Sequence, residues 1–324
     1  MTDAVLITGG FGYVGGRIAR DLVGSGPGKV RIGSRRDPGA RPDWARGLEV
    51  ARMDFSDLDS LVRACDGITT VIHMATPNEI VCGHDPVLAI EATVMGTLRL
   101  ILAAQASGVR RFVFFSTAHV YGAPLQGAID ETRLPRPVHP YAIAHKAAED
   151  LVLAERDAGR LDAVVLRLSN GIGTPADAGI DRWTLVGNDL CRQFASEGML
   201  TLQSSGTAVR DFIPLSDVVA AVRHILSLPA DALRDGLFNL GGGKPALSIY
   251  MVAERIAARA EALFGIRPPI RRPEPQPDEK TVDLDFRIDR LRALGFSPAF
   301  DLDAEIDATL ALCRDHFANP TMYP

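Results

Sequence analysis

The fold can be inferred from the segment Thr8-Gly9-Gly10-Phe11-Gly12-Tyr13-Val14-Gly15. It follows an apolar, β-branched run, Ala4–Ile7, and leads into a helical pattern over Tyr13–Val23. Glycines at positions 9, 12 and 15 permit a tight turn, let the backbone approach a pyrophosphate and allow the helix to pack closely on the strand. The helix N-terminus adds free N–H groups and the positive end of its dipole. The segment therefore predicts a turn that binds a dinucleotide.

Short apolar runs continue to alternate with helical patterns through the first half of the chain. The predicted strands are Ala4–Ile7, Lys29–Ile32, Leu48–Met53, Thr70–His73, Arg111–Phe115 and Ala163–Leu168. The predicted helices are Tyr13–Val23, Ser56–Ala64, Val87–Ala106 and Tyr141–Ala158. This alternation is typical of βαβ units, and strands that are apolar throughout are buried on both faces. We therefore predict an α/β fold with a doubly wound parallel sheet.

The regular alternation ends after Asn170. Glycines, Pro175 and polar clusters fill 171–210, and the later strand and helix patterns are Asp211–Ile213, Ser216–Ser227 and Leu237–Leu240. Ser216 and Ser248 each stand where a helix N-cap is expected. We predict a dinucleotide-binding domain formed by 1–170 plus 211–245, and a smaller mixed substrate-binding lobe formed by 171–210 plus 246–324.

Composition limits the classes of partner. The chain has 324 residues, 47% of them apolar, and its net charge of −5 gives no reason to expect nucleic acid. The four cysteines are scattered without metal-ligand spacing, which predicts no metal site and a reducing compartment. The first residues lack a signal-peptide pattern, and no run reaches the roughly 18 apolar residues of a membrane span. We therefore expect a cytoplasmic protein without membrane association.

The end of the second predicted strand bears on the choice of dinucleotide. NAD sites usually place an acid there for the ribose hydroxyls, whereas this chain reads Ile32-Gly33-Ser34-Arg35-Arg36. A hydroxyl followed by guanidinium groups suits the 2′-phosphate of NADP, because arginine binds phosphate through paired hydrogen bonds. The sequence favours NADP, with NAD as the alternative if the two arginines are only solvated loop charges.

The ordered motifs of the chain resemble those of the extended short-chain dehydrogenases. This family includes the sugar-nucleotide epimerases, dehydratases and ketoreductases. The resemblance spans nearly the whole chain and rests on the glycine segment and these later motifs: Met53-Asp54-Phe55, Val71-Ile72-His73-Met74-Ala75, Phe115-Ser116-Thr117-Ala118-His119-Val120-Tyr121-Gly122, Leu166-Arg167-Leu168-Ser169-Asn170, Arg210-Asp211-Phe212-Ile213 and Arg272-Pro273.

The resemblance implies roles for individual residues. Thr117 and Tyr141 fall where the family's catalytic hydroxyl residues stand. Asp54 and Phe55 would lie at the adenine, and Met74 and Ala75 would line the cofactor. The residues implied to hold the substrate diphosphate or nucleoside are Asn170, Arg210, Arg272 and, with weaker correspondence, Asn188.

Such a site oxidises a sugar alcohol by moving a proton and a hydride together. Tyr141 would take the hydroxyl proton as a tyrosinate, which requires nearby positive charge because a tyrosine pKa is about 10 in water. Thr117 would orient the same substrate oxygen.

The sequence departs from the family at the position four residues after the tyrosine, where a lysine is usual. Here His145 holds that position, and Lys146 lies one residue further, about 100° round an α-helix. In one interpretation His145 binds the nicotinamide ribose and gives pH-dependent help to Tyr141. In the other, a helix bulge returns Lys146 to the site. We prefer the first because it needs no irregular backbone.

A second departure follows Thr117. The dehydratase branch has an Asp-Glu pair where this chain has Ala118 and His119, which argues against a 4,6-dehydratase. His119 is either a general acid or base beside a ketone, or a strand-end histidine bonded to backbone.

We therefore predict an NAD(P)-dependent epimerase of a nucleotide-activated sugar. An NADPH-dependent ketoreductase is the first alternative, and a non-catalytic dinucleotide-binding regulator is the second. The resemblance also implies a homodimer, in which Val87–Ala106 and Tyr141–Ala158 pair across a four-helix bundle.

Overall fold

A seven-stranded parallel sheet lies at the centre of the computed structural model, which describes residues 4–25, 28–35, 41–180, 182–277, 279 and 282–319. The strands are β1 Ala4–Thr8, β2 Lys29–Ser34, β3 Glu49–Arg52, β4 Thr70–His73, β5 Arg111–Thr117, β6 Gly127–Ile129, β7 Asp162–Leu168, β8 Asn170–Ile172, β9 Leu200–Thr201, β10 Val209–Arg210, β11 Phe212–Pro214, β12 Leu237–Leu240, β13 Leu247–Ser248, β14 Ile270–Arg271 and β15 Leu284–Phe286. The sheet order is β12-β7-β5-β4-β1-β2-β3, with every adjacent pair parallel.

Helices cover both faces of this sheet. They are α1 Tyr13–Ser25, α2 Leu58–Cys65, α3 Glu79–His84, α4 Pro86–Ala89, α5 Gly96–Ala106, α6 Pro140–Asp157, α7 Val186–Glu197, α8 Leu215–Ser227, α9 Ile249–Phe264, α10 Asp289–Ala293 and α11 Leu302–Phe317. Neighbouring strand residues such as Leu6 and Ile7 join separate apolar clusters on opposite faces. Because the strand order changes direction between β1 and β4, the sheet is doubly wound, as predicted.

The predicted helix Val87–Ala106 is a composite. A π-helical turn, Ile90–Met95, joins α4 to α5, so that Pro86–Ala106 forms one helical run. By length and composition alone this run is apolar enough to cross a membrane, although it includes Glu91 and Arg99. Part of it packs against α2 and α6, so the run also serves as a covering helix of the sheet.

A smaller lobe is built on α7, α9 and α11, whose apolar residues form a cluster of their own. Glu305 of α11 joins this lobe to the sheet, because its carboxylate accepts hydrogen bonds from Arg17 at 2.8 and 2.9 Å and from the Ser216 N–H at 2.8 Å. Leu291 and Phe296, which the sequence division placed in the lobe, pack instead with the cluster on the sheet.

The two predicted helix caps have different outcomes. The Ser248 hydroxyl accepts from the Met251 N–H at 3.1 Å and caps α9, as predicted. The prediction for Ser216 is wrong, because α8 begins at Leu215 after Pro214, and the Ser216 side chain makes no cap.

Candidate functional site

The glycine turn lies between β1 and α1, at the carboxyl edge of the sheet. Gly9 has a φ of +71°, and the Gly12 N–H donates to its carbonyl at 2.8 Å. A Cβ on Gly15 would lie 2.3 Å from the Gly9 oxygen, so only glycine fits where the helix meets the turn. This geometry fits a dinucleotide pyrophosphate, because Gly9, Gly12 and Gly15 carry no side chains that would hold the phosphates away from the start of α1.

A buried hydrogen-bond network joins this turn to the end of β4. The Thr8 hydroxyl accepts from the N–H groups of Met74 and Ala75 at 3.1 and 3.2 Å, and lies 2.7 Å from Nδ1 of His73. Nε2 of His73 lies 3.1 Å from the Thr97 hydroxyl. Burial lowers the pKa of His73 to about 3. This neutral histidine is a structural link, and the network fixes Met74 and Ala75 beside the turn.

The adenosine end of the predicted cofactor site is more exposed to solvent than the buried network at the end of β4. Ser34 ends β2 and is partly buried, whereas Arg35 is exposed; Arg36 lies outside the described residues. Asp54 is exposed and accepts hydrogen bonds from the Ser56 side chain and N–H, which lower its pKa. The Phe55 ring stacks on His73 at 5.7 Å, which places Phe55 against the buried network.

Thr117 and Tyr141 converge, although 24 positions separate them in the chain. Thr117 ends β5, and Tyr141 lies in the first turn of α6. Burial raises the pKa of Tyr141 to about 12, while Arg182 and a side-chain hydrogen bond with Thr117 oppose this rise. The two side chains therefore lie close to one another, and their catalytic roles stay a prediction.

His145 lies directly behind Tyr141 on α6, with the two ring centroids 4.1 Å apart. Its Nδ1 donates to the Tyr141 carbonyl at 2.8 Å, and its Nε2 lies 3.3 Å from the Thr76 hydroxyl. The side chain is 1% exposed, and burial lowers its pKa to about 4. His145 is thus neutral near pH 7, and Nε2 accepts from Thr76 because Nδ1 carries the proton.

Lys146 lies away from the tyrosine. Helix α6 continues without a bulge from Pro140 to Asp157, and the Lys146 ammonium pairs with Asp150 on the exposed face. The interpretation that a bulge returns Lys146 to the site is therefore wrong, because an unbroken helix turns residue 146 away from residue 141.

Charged residues lie near Thr117 and Tyr141. Glu79 of α3 and Arg182 form an ion pair at 3.3 Å. His119 lies two residues after Thr117 and is exposed; its backbone N–H donates to the Thr117 hydroxyl at 3.2 Å. The surrounding protein displaces part of the water around the ring and so lowers the pKa of His119; the charge of Arg210 lowers it further, and that of Glu79 opposes both. His119 therefore lies among charged groups at the mouth of the site.

Three of the predicted substrate residues lie on or next to short two-stranded sheets outside the central sheet. Asn170 is in β8 and donates through its amide to the Asp211 carbonyl at 2.9 Å. Arg210 is in β10, and its guanidinium donates to the Val209 carbonyl. Arg272 stacks over the Tyr250 ring at 3.5 Å and borders a cavity of about 580 Å³ that Thr207 and Ser248 also line.

Asn188 differs from this group. It is buried, its Oδ1 lies 3.2 Å from the Tyr13 hydroxyl, and its Nδ2 donates to the Arg182 carbonyl at 3.1 Å. Both ends of the amide contact protein groups in this structure, and the role of Asn188 in substrate binding stays a prediction. Tyr13, predicted to contact the cofactor, likewise turns its hydroxyl towards Gly173 and Asn188.

Sequence reasoning missed Thr76, Glu79 and Arg182. Thr76 immediately follows the predicted cofactor residues Met74 and Ala75, so its position offered a usable signal. Glu79 and Arg182 lie 103 positions apart and meet only in the folded chain.

A glycine turn of this geometry, joined through the end of β4 and His145 to a close Thr–Tyr pair, defines a nicotinamide-dependent enzyme of the short-chain dehydrogenase type. The family model for the NAD dependent epimerase/dehydratase family matches residues 5–241. The chain belongs to this family, which confirms the resemblance stated from its motifs.

Two curated relatives are named as enzymes of nucleotide sugars. The UDP-glucose 4-epimerase of Rhizobium leguminosarum bv. trifolii is 31% identical over 242 residues, covering 69% of this chain and 73% of that protein. The dTDP-glucose 4,6-dehydratase of Streptomyces griseus is 28% identical over 330 residues, covering 98% of this chain and 95% of that protein.

Solved structures with a similar fold include two complexes with NAD. The UDP-glucose 4-epimerase of Thermus thermophilus, in complex with NAD, superposes with a TM-score of 0.79 at 27% identity, covering 97% of this chain and 99% of that one. MoeE5 in complex with UDP-glucuronic acid and NAD gives a TM-score of 0.75 at 28% identity, covering 96% and 99%. These neighbours support a nicotinamide dinucleotide as the cofactor.

Proposed function

We propose that this protein is an NAD(P)-dependent epimerase that inverts carbon 4 of a nucleotide-activated sugar through a transient keto intermediate. The observation that carries the proposal is the close pair Thr117 and Tyr141 beside the glycine turn. Relatives named as UDP-glucose 4-epimerases support the choice of reaction and of a UDP-sugar as substrate class. They do not favour the ketoreductase or the non-catalytic regulator.

The proposed roles of the individual residues in this reaction are as follows. Tyr141, as tyrosinate, takes the proton of the sugar hydroxyl, and Thr117 holds the same oxygen. A nicotinamide held by the glycine turn would supply the hydride acceptor that turns the hydroxyl carbon into a ketone, and would return the hydride to the other face of the sugar. Tyr141 would then give the proton back to the same oxygen. The proposed sites for the nucleoside diphosphate are Asn170, Arg210, Arg272 and the cavity that Arg272 borders.

A dehydratase is less compatible with the site, although one curated relative has that name. Removing water requires an acid and a base next to the catalytic threonine, and these positions hold Ala118 and His119. His119 is exposed at the mouth, where we propose that it contacts the sugar.

The choice between NAD and NADP rests on the end of β2. We propose NADP, because Ser34 and Arg35 occupy the position where an acid would favour NAD. The structural neighbours that bind NAD support the alternative. Titration of the protein with each dinucleotide distinguishes them: tighter binding of NAD, unaffected by Arg35→Ala, would exclude the NADP preference.

The test of the function is a panel of UDP- and dTDP-hexoses incubated with the purified protein and either dinucleotide. We expect a C4 stereoisomer to form without net consumption of cofactor, and Tyr141→Phe to reduce the rate at least about 100-fold. Stoichiometric oxidation of NADPH would instead identify a ketoreductase. Cofactor binding without any product would favour the regulator.

We also propose a homodimer in the cytoplasm. Apolar side chains of the helices beside the site face outward, among them Val87 at 73% and Ile143 at 44% exposure, together with Ile80 and Ile90. A second copy would cover them as a four-helix bundle. Light scattering should give a dimer that Ile143→Glu dissociates, and a monomer at micromolar concentration would contradict this.

A further inference from the structure

Arg272 is held in place without an acidic partner, unlike other arginines of the lobe. Arg255, for example, pairs with Asp303 at 2.6 Å. Within the described part of the chain Arg272 forms no ion pair: its guanidinium stacks over the Tyr250 ring at 3.5 Å, and its Nη1 donates to the Ser205 carbonyl at 2.7 Å. An aromatic face and a carbonyl carry only partial charges, so they fix the guanidinium without neutralising it.

Tyr250 is itself fixed at the start of α9. Its N–H donates to the Gly206 carbonyl at 2.9 Å. Its hydroxyl donates to Oε1 of Glu254, one helical turn later, at 2.7 Å. The other carboxylate oxygen of Glu254 accepts from Arg267 at 2.9 Å. These contacts give the Tyr250 ring a defined orientation beneath the guanidinium.

Both side chains line the cavity of about 580 Å³ that lies beside α9. Among the described lining residues, Arg272 is the one cation, Tyr250 the one aromatic residue and Asp283 the one acid. Glu279, outside the lining, accepts a hydrogen bond from the Thr207 hydroxyl. The cavity therefore presents a guanidinium that no ion pair within the described residues occupies.

The way in which Arg272 is held suits an anionic ligand. A carboxylate partner would fix an arginine as well, but it would compete with an incoming diphosphate for the same N–H groups. An aromatic ring stacks on the face of the guanidinium and uses none of its N–H groups. A guanidinium that is already in place also loses less freedom when the ligand binds. The stacked ring therefore prepares Arg272 for a diphosphate.

We propose that Tyr250 is a positioning residue for substrate binding: its ring holds the Arg272 guanidinium, charged and unpaired, for the diphosphate of the nucleotide-activated sugar. The ring is more important than the hydroxyl, because the hydroxyl donates to Glu254 and not to the ligand. The inference rests on the proposed function, which assigns the diphosphate to this cavity.

The first experiment measures the binding of UDP, dTDP and uridine to the full chain saturated with dinucleotide, by calorimetry. Tyr250→Leu should weaken binding of the two diphosphates about tenfold, or about 1.4 kcal/mol, which lies within the range of a cation–π contact. Uridine has no phosphate, so its affinity should not change. Tyr250→Phe keeps the ring and should bind the diphosphates within about twofold of the unmodified protein.

The matched control lies at the other end of the same helix. The Arg314 guanidinium stacks over the Phe264 ring at 4.8 Å, and Phe264 is about 21 Å along α9 from Tyr250. Phe264→Leu removes a ring from beneath an arginine, as Tyr250→Leu does, and should leave the affinity for UDP unchanged.

A second comparison tests whether Tyr250 acts through Arg272. Arg272→Met should weaken UDP binding more than Tyr250→Leu does, and the double variant should bind as weakly as Arg272→Met alone. With substrate, Tyr250→Leu should raise KM and leave kcat within about twofold. Additive losses in the double variant would overturn the inference. Equal losses of UDP and uridine would also overturn it, because the ring would then contact the nucleoside itself.

Binding and turnover together separate this inference from the proposed function. Diphosphate binding that depends on Tyr250, in a protein that converts no sugar, would refute the function and keep the inference. Conversion of a nucleotide sugar with a KM that Tyr250→Leu leaves unchanged would do the reverse. An unmodified protein that binds neither UDP nor dTDP would overturn the inference. If Tyr250→Leu does not fold, Tyr250→Gln makes the same test, because the side chain is partly exposed.

Discussion

The glycine turn and the first turn of α6 both contribute to one site, yet they follow their family to different degrees. The turn keeps its motif completely, because its function depends on backbone atoms and on the absence of Cβ atoms. The start of α6 keeps Tyr141 but has the buried, neutral His145 in place of lysine. The difference indicates that a role carried by backbone atoms fixes the residue type more strictly than a role carried by a side chain.

The strongest effect is expected at the turn, and Gly15→Ala tests it. The added Cβ would lie 2.3 Å from the Gly9 oxygen, so α1 or the turn must shift. We expect a loss of about 3 kcal/mol or more in the free energy of unfolding and no measurable dinucleotide binding. Chemical denaturation and cofactor titration would measure both.

The matched control for Gly15 is Gly24→Ala in the same helix, where a Cβ meets no atom within 4 Å. This substitution should leave cofactor binding unchanged and raise stability by up to about 1 kcal/mol. Equal stability and equal cofactor binding of the two alanine variants would show that the turn accepts a change of residue type, as the start of α6 does.

The next strongest effect lies further along α6, at Glu149. Its carboxylate is fully buried and accepts hydrogen bonds from Nε and Nη2 of Arg167 at 3.0 and 2.7 Å. Glu149→Ala should cost about 3–5 kcal/mol of unfolding free energy, because it leaves a buried guanidinium unpaired. A cost below about 1 kcal/mol in urea denaturation would show that α6 tolerates changes of charge along its whole length.

The effect of pH on stability tests whether His145 is neutral in the folded protein. Its pKa is about 4 when folded and about 6.5 when exposed, so the unfolded chain binds the proton first. The stabilising contribution is complete above pH 6.5 and is lost as the pH falls towards 4, by about 3 kcal/mol. His145→Asn should lose less stability over this window. Identical pH dependence in both proteins would contradict a buried neutral imidazole.

The sheet could be predicted well from the sequence because most of its strands are short, apolar and buried on both faces, the edge strand β3 being the exception. The structure has Thr70–His73 and Leu237–Leu240 with the predicted bounds. The prediction that Ser216 caps α8 was wrong for a tertiary reason. The N–H of Ser216 donates to the carboxylate of Glu305, which comes from another part of the chain. Local patterns cannot reveal a partner 89 positions away.

The identities of the site residues could be predicted from the sequence, whereas their charge states and charged neighbours could not. Thr117, Tyr141 and the glycine turn are found by motif order. The neutrality of His145 follows from its burial. The ion pair between Arg182 and Glu79 follows from the packing of an irregular segment against α3. Neither burial nor that packing has a signature within a few residues, so the sequence left His145 and Lys146 as open alternatives.

The weakest effect is expected at Lys146, and it bears directly on the contrast between the turn and α6. Lys146 is the lysine next in sequence to the expected position, but it pairs with Asp150 on the exposed side of α6. Exposed pairs of this spacing contribute about 0.5 kcal/mol or less, because water screens them. Lys146→Ala should therefore leave the pH profile of kcat and the cofactor affinity unchanged, with a melting temperature close to that of the unmodified protein. A tenfold fall in kcat would place the lysine back beside Tyr141, which requires α6 to rearrange when substrate binds.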